Sequence, residues 1–130
     1  MIVVDTSAWA DWFNARDTRE AARLEEALQR ESVGVTGIIV TETLQGFRTD
    51  SGFETARRIL TALPMLDLDT DGHVEAASLF RWLRRRGVTV QGVTDCLIAQ
   101  SCIAADAELL SADRDFVMIA RYTALRLCAT

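Results

Sequence analysis

The chain of 130 residues has no lysine, one proline, one histidine and only three cysteines. Each scarcity excludes a class of chemistry. Without lysine there is no G-x-x-x-x-G-K-[ST] phosphate loop. The same lack rules out receiver-domain and haloacid-dehalogenase-type sites, both of which pair an aspartate with a lysine. Cys96, Cys102 and Cys128 are odd in number and stand at no zinc-ligand spacing, so they read as reduced, partly buried thiols. No apolar run approaches the roughly 20 residues needed to cross a bilayer. The start, Met1-Ile2-Val3-Val4-Asp5, lacks the basic leader of a signal peptide, and a cytoplasmic protein with no membrane partner is expected. Glycine-rich dinucleotide fingerprints, low-complexity stretches and internal repeats are also absent.

A composition 49% hydrophobic and 25% charged is that of an ordinary globular protein, and residues 1–130 read as one domain without a linker. The net charge of -5 speaks at first sight against a nucleic-acid partner. Two features weaken that objection. All fourteen cations are arginine, the better bidentate ligand of phosphate. The acids are also unevenly spread, and several could meet in one site where a metal would neutralise them.

Hydrophobic patterning predicts alternating strands and helices. Residues 2–5 form a short β-branched run ending at an acid, as a buried strand does. A short helix follows with Trp9, Trp12 and Phe13 on one face. Asp17 with Glu20 reads as a capping box opening a helix to about Arg30, its apolar side carrying Ala21, Leu24 and Leu28. Ser32 to Val35 is an expected strand, and Gly37 to about Phe47 a helix that carries Glu42. Ser51 with Glu54 reads as a second capping box, opening a helix to about Leu63 that Pro64 ends. Met65 to Leu68 is an expected strand. Asp71 to Arg86 is the longest helical pattern, closed by Gly87. A helix from Thr94-Asp95 to about Ala104, a strand at Leu109-Leu110, a turn and helical piece from Asp113 to about Ala120, and a strand from Leu125 to Cys128 complete the chain. This alternation indicates an α/β fold with a mainly parallel sheet of four to five short strands.

The acids fall at informative places. Asp5 ends the first strand, Asp95 begins a helix, and Asp113 and Asp115 follow the Leu109-Leu110 strand. Groups just past the carboxyl ends of parallel strands meet at one edge of the sheet, and Glu42 could reach in from its helix. Taken singly, Asp5 and Asp95 read equally well as turn or N-cap residues. Together, in unusually apolar surroundings, they point to a hard divalent cation such as Mg²⁺ or Mn²⁺, which takes oxygen ligands and relieves their repulsion.

Four segments carry a resemblance: Ile2-Val3-Val4-Asp5-Thr6-Ser7, Val40-Thr41-Glu42-Thr43-Leu44, Thr94-Asp95-Cys96-Leu97-Ile98-Ala99 and Leu110-Ser111-Ala112-Asp113-Arg114-Asp115-Phe116. In order and separation they resemble the signature segments of PIN domains, over essentially the whole chain, and most closely the VapC-type toxins. The resemblance implies a three-layer α/β/α domain and hydrolysis of an RNA phosphodiester, with Asp5, Glu42, Asp95 and Asp113 as catalytic acids. By the same resemblance Asp5, Asp95, Asp113 and Asp115 would hold metal, and Thr6, Ser7 and Thr94 would support them. It implies a homodimer and an inhibiting antitoxin partner. Transfer RNA and ribosomal RNA both fit as substrates.

The ligand set suggests one metal that lowers the pKa of a water and a second, recruited with substrate, that stabilises the leaving oxygen, giving 5′-phosphate and 3′-hydroxyl ends. The metal-free route through the RNA 2′-hydroxyl normally wants a pair of acid–base side chains. The lone His73 lies far from every acid motif and reads as a surface or capping residue. Arg114, inside the last acidic segment, and Arg85, in the cluster Arg81, Arg84, Arg85 and Arg86, are candidate RNA contacts. The cluster could equally complement a helix dipole. Trp9, Trp12 and Phe13 could pack in the core or receive an apolar antitoxin helix. Two alternatives remain beside the toxin reading: a PIN nuclease of RNA processing, and a PIN fold that holds metal structurally and works through RNA or protein contacts.

Overall fold

A computed structural model describes residues 1–130. In chain order the elements are β1 (Ile2–Val4), α1 (Thr6–Phe13), α2 (Arg19–Arg30), β2 (Val33–Gly34), α3 (Gly37–Leu44), α4 (Asp50–Thr61), α5 (Thr70–Arg85), α6 (Val93–Ala104), β3 (Glu108–Leu110), α7 (Arg114–Tyr122) and β4 (Arg126–Leu127). The four strands form one sheet in the order β2-β1-β3-β4, and every pairing is parallel. Parallel neighbours need crossover connections, and here helices supply each of them.

All three residues of β1 are buried, as are Leu109 and Leu110 of β3. Successive strand residues point to opposite faces, so both faces of the central strands are covered by helices, which gives the three-layer α/β/α arrangement. One core cluster of 25 residues takes in these strands together with Trp9, Leu24, Leu60, Leu83, Ile98 and Phe116. Gly87 ends α5 with φ +72, a left-handed conformation in which a side chain is strained.

Local chemistry moves several expected boundaries. The N-cap of α2 is Thr18, whose hydroxyl accepts from Ala21 N at 3.1 Å, and not Asp17. Likewise Thr49, accepting from Gly52 N at 3.1 Å, caps α4, while Ser51 lies inside the helix. Glu54 is not a reciprocal cap; it pairs with Arg57 and Arg58 one turn on. Ala27 takes the fully buried position on α2, and Leu28 is only partly buried. The expected strand Met65 to Leu68 shrinks to a single bridge from Met65 to Val35, because Asp69 already caps α5.

Trp9 is fully buried, stacked on Phe13 with ring centroids 5.8 Å apart. It therefore offers no surface to an antitoxin, and the core alternative applies to it. Trp12 and Phe13 are half-buried, and the Trp12 indole N–H donates to Glu25 at 2.6 Å.

The cap assignment has a direct test. Thr18→Ala should cost about 1 kcal/mol of unfolding free energy, since it removes the one side-chain acceptor at the start of α2. Asp17→Ala should change stability by less than half as much. Chemical denaturation of the two variants separates them, and equal losses would put the cap at both residues.

Candidate metal centre

The site follows from strand register. Val4 of β1 pairs with Leu110 of β3, so the next residues, Asp5 and Ser111, leave the sheet side by side. Asp5 remains anchored to the sheet through its backbone N–H, which donates to Leu110 O at 2.9 Å. Its carboxylate is then held at both oxygens. Oδ1 accepts from Thr6 N at 2.8 Å, capping α1, and Oδ2 accepts from the Ser111 hydroxyl at 2.9 Å. Ser111 Oγ in turn accepts from Asp113 N at 3.0 Å. One hydroxyl therefore ties the carboxyl ends of both central strands to the start of α7.

Asp113 repeats the capping role at α7, where its Oδ1 accepts from Asp115 N at 2.9 Å. Asp115 Oδ2 accepts from Gln91 N at 3.0 Å, which fixes the loop between α5 and α6 over the site. Asp95 lies in the first turn of α6, whose N-cap, Gly92, provides no side-chain cap. Glu42 arrives from α3, started by the buried cap Thr36, and accepts from the Thr6 hydroxyl at 3.1 Å.

Asp5, Thr6, Ser7, Glu42, Thr94, Asp95 and Asp113 thus line one open depression of about 710 Å³. Carboxylate oxygens of Asp95, Asp113 and Asp115 all fall within 4.8 Å of one another, and this is the tightest acid group in the molecule. Asp5 and Glu42 stand outside that triangle but close enough for their charges to act on Asp95.

Desolvation is the main influence on Asp95, reinforced by the charges of Asp113, Asp5, Asp115 and Glu42, and its pKa is pushed up to about 7. Burial also raises Asp5, against the hydrogen bonds from Ser111 and Thr6, which favour its charged form. A group of oxygen donors this close, with one member driven toward protonation by its neighbours, matches what a hard divalent cation binds and neutralises. The cysteines do not compete as ligands. All three are free, and burial pushes the Cys96 thiol up to about 11 and Cys102 up to about 12.

Two of the candidate contacts lie apart. Arg114 is exposed on the first turn of α7, outside the lining of the depression, and forms no ion pair with the acids it separates. Arg85 is exposed at the end of α5, where Arg86 covers the Trp82 ring at 3.5 Å. Two residues that sequence reasoning passed over belong to the site, Ser111 and Gln91. Ser111 stands inside the last acidic segment, directly after the strand, and a hydroxyl at that position was the available signal. Gln91 acts through its backbone N–H, which leaves no mark in a sequence.

Known proteins share this fold and much of this sequence. The PIN-domain family profile matches residues 2–122. Ribonuclease VapC11 of Mycobacterium tuberculosis and a VapC ribonuclease of Mycobacterium bovis are each 36% identical over 129 residues, covering 97% of this chain and 96% of theirs. Among solved structures, VapBC2 from Rickettsia felis bound to a promoter DNA fragment superposes with a TM-score of 0.75 at 20% identity, covering 98% of both chains.

Two predictions follow from the electrostatics and the hydrogen bonds. Because the folded Asp95 holds its proton up to about pH 7 and the unfolded one only to about 3.8, ionising it costs the metal-free fold stability as pH rises between those values. Asp95→Asn should therefore raise the Tm of metal-free protein at pH 8 but not at pH 4. The gain should be on the order of 1–2 kcal/mol, after allowance for the solvent that reaches this half-exposed group. Added Mn²⁺ should close the gap by stabilising the wild type alone; a Tm difference independent of pH would refute the coupling. Separately, Ser111→Ala should weaken Mn²⁺ binding about 10- to 100-fold through loss of the Asp5 hydrogen bond, and Ser111→Thr should restore most of it. Calorimetric titration of the two variants is the measurement.

Proposed function

The chain belongs to the PIN-domain family, on the side of its VapC ribonucleases, and from that premise we propose that it is a metal-dependent endoribonuclease, the toxin of a toxin–antitoxin pair. The observation that carries the proposal is the convergence of Asp5, Glu42, Asp95, Asp113 and Asp115 at one sheet edge, none of them neutralised by an arginine. Clustered charge of this kind is costly to the fold and usually marks function. Mg²⁺ is the expected cation, with Mn²⁺ as a substitute.

When bound, the cation supplies a water nucleophile of lowered pKa and a Lewis acid for the phosphoryl oxygens. The rest is the work of this chain. Asp95, Asp113 and Asp115 present the closest set of oxygens. Asp5, clamped by Thr6 N and Ser111 Oγ, keeps its carboxylate in one orientation as the site fills. Glu42, steadied by the Thr6 hydroxyl, lines the same depression, where it can orient a water for in-line attack or add a ligand. Ser7 and Thr94 line the same depression as hydroxyl donors toward a phosphate oxygen. The products would carry 5′-phosphate and 3′-hydroxyl ends.

We assign the substrate to structured RNA, with transfer RNA and ribosomal RNA loops as the classes to test, recognised through shape and unstacked bases. Arg114 and Arg85 are proposed contacts outside the acid site. Relatives named as VapC ribonucleases and solved neighbours that are VapBC and toxin–antitoxin complexes support an antitoxin partner; a homodimer in the cytoplasm is part of the same proposal. Of the stripe Trp9, Trp12 and Phe13, only Trp12 and Phe13 keep surface for that partner. No helix is long and apolar enough to cross a membrane.

The deciding experiment is cleavage of total cellular RNA by purified, antitoxin-free protein. Discrete fragments should form with Mg²⁺ and disappear with EDTA or in Asp5→Ala, and sequencing their ends should give 5′-phosphates and name the substrate. Persistence of the same fragments in EDTA, or no cleavage by metal-loaded protein across many RNAs, would overturn the assignment.

A further inference from the structure

A second depression, of about 490 Å³, opens between the end of α1 and the turn from α3 to α4. Its walls include Asn14, Arg16, Thr43, Phe47, Arg48 and Thr49, and no carboxylate lines it. The other four sizeable depressions each contain at least one aspartate or glutamate. In a chain of net charge -5, this concavity brings two arginines together with no carboxylate in its lining. Arg48 forms no ion pair. Arg16 meets only Asp11, at 3.3 Å and with its own side chain 65% exposed, a contact weak enough to be exchanged for a better anion.

The two depressions lie in line. On α1, Thr6 borders the acid site, while Ala10 and Asn14, successive turns further along, border the second depression; one turn is about 5–6 Å. On α3 the division runs between adjacent residues, Glu42 on the acid side and Thr43 on the other. Two further observations concern what would lie there. Thr43 is only 5% exposed, and its hydroxyl, closed to solvent, has no hydrogen-bond partner in the protein, so the wall holds an unsatisfied polar group of the kind an ordered water normally meets. Phe47, packed edge-to-face on Phe13 at 5.3 Å, sets a firmly held ring in the same wall. Cations beside a fixed aromatic ring suit single-stranded nucleic acid, whose phosphates and bases need one of each.

We infer that this depression is a phosphate subsite for the RNA strand beside the cleaved bond, where Arg16 and Arg48 hold the phosphate of a flanking nucleotide and Phe47 offers its ring to the base. The inference rests on the ribonuclease assignment and adds to it a direction for the strand, along α1 from Thr6 toward Asn14. It also answers an electrostatic difficulty. A site built from carboxylates repels a polyanion until metal arrives, and two arginines one step along the groove offset that repulsion. An acidic peptide would meet the same two cations, but it would have no need of the line that joins them to the acid site.

The test uses full-length protein and a labelled single-stranded RNA of roughly 12 nucleotides spanning the cleavage site that RNA sequencing identifies. A second probe is trimmed so that it lacks the flanking nucleotides. With the longer RNA, Arg16→Ala combined with Arg48→Ala should raise KM about 10-fold and leave kcat within about twofold, because a flanking phosphate is bound equally in ground and transition states. The salt dependence of binding, measured in EDTA, should flatten by about one to two in its log–log slope. The trimmed RNA should be indifferent to both substitutions, Mn²⁺ affinity should not move, and the two arginine-to-lysine changes should recover most of the binding. Unchanged KM and salt slope would overturn the subsite. So would unchanged RNA handling with lost binding of a glutamate-rich peptide, which would make the depression a peptide site. Failure of the wild type to cut any RNA is a different result: it would remove the ribonuclease assignment, and the subsite with it.

Discussion

Two strands of three residues, β1 and β3, lie side by side and parallel at the centre of the molecule, and the placement of the acid cluster depends on that pairing. Parallel strands end at the same edge. With Val4 opposite Leu110, the first residues free of the ladder are Asp5 and Ser111, and they meet at once through a hydrogen bond of 2.9 Å. A shift of one residue would turn β1's apolar side chains to the opposite face and separate that pair. Such a shift would also have to repack Ile2, Val3, Val4, Leu109 and Leu110, all of them core, against new neighbours on both faces. Hydrophobic packing thus determines the position of a polar site that contributes nothing to it.

The same arrangement shows why capping and metal holding are not competing descriptions of these aspartates. Asp5 gives one oxygen to Thr6 N and Asp113 gives one to Asp115 N, each starting a helix. A carboxylate has two oxygens and about four acceptor positions, so capping orients the group without exhausting it. Asp95, which caps nothing, has no such compensation, and burial with the surrounding acids pushes its pKa up to about 7.

Much of this was legible in the sequence, and the misses have physical causes. An acid ending the β-branched run of residues 2–5 marked Asp5, and acids shortly after the apolar Leu109-Leu110 pair marked Asp113 and Asp115, because a parallel sheet places the carboxyl ends of its strands on one edge. The α/β alternation and the long helix ending at Gly87 followed from periodicity and from one left-handed residue. Helix starts were misjudged where several capping residues stand close together. Asp17-Thr18 and Thr49-Asp50-Ser51 each offer competing acceptors, and tertiary packing, not local propensity, chooses among them. Ser111 and Gln91 were missed because their contacts span 106 and 24 residues and depend on register and on a backbone N–H. The stripe Trp9, Trp12, Phe13 was correctly read as one helical face. Its outcome differs residue by residue, because α1 packs against both α2 and α3 and only Trp9 points fully inward.

Net charge is a poor guide to what any one face of this molecule attracts, and the structure shows why. Of the fourteen arginines, only Arg16, Arg23, Arg57, Arg58 and Arg126 form ion pairs, all with carboxylates outside the acid site. The acids that make the total negative are partly those of the site itself, where a divalent cation would cancel their charge and reverse their action on a phosphate. Counting charges over the whole chain adds together groups that work in different places. What a polyanion meets is local: a carboxylate cluster that is repulsive when empty and attractive when it holds a cation, and unpaired arginines such as Arg48 and Arg114 on nearby elements. The sign of the field at the site would therefore follow cation occupancy, so that a polyanion and a cation bound there would each lower the electrostatic cost of the other.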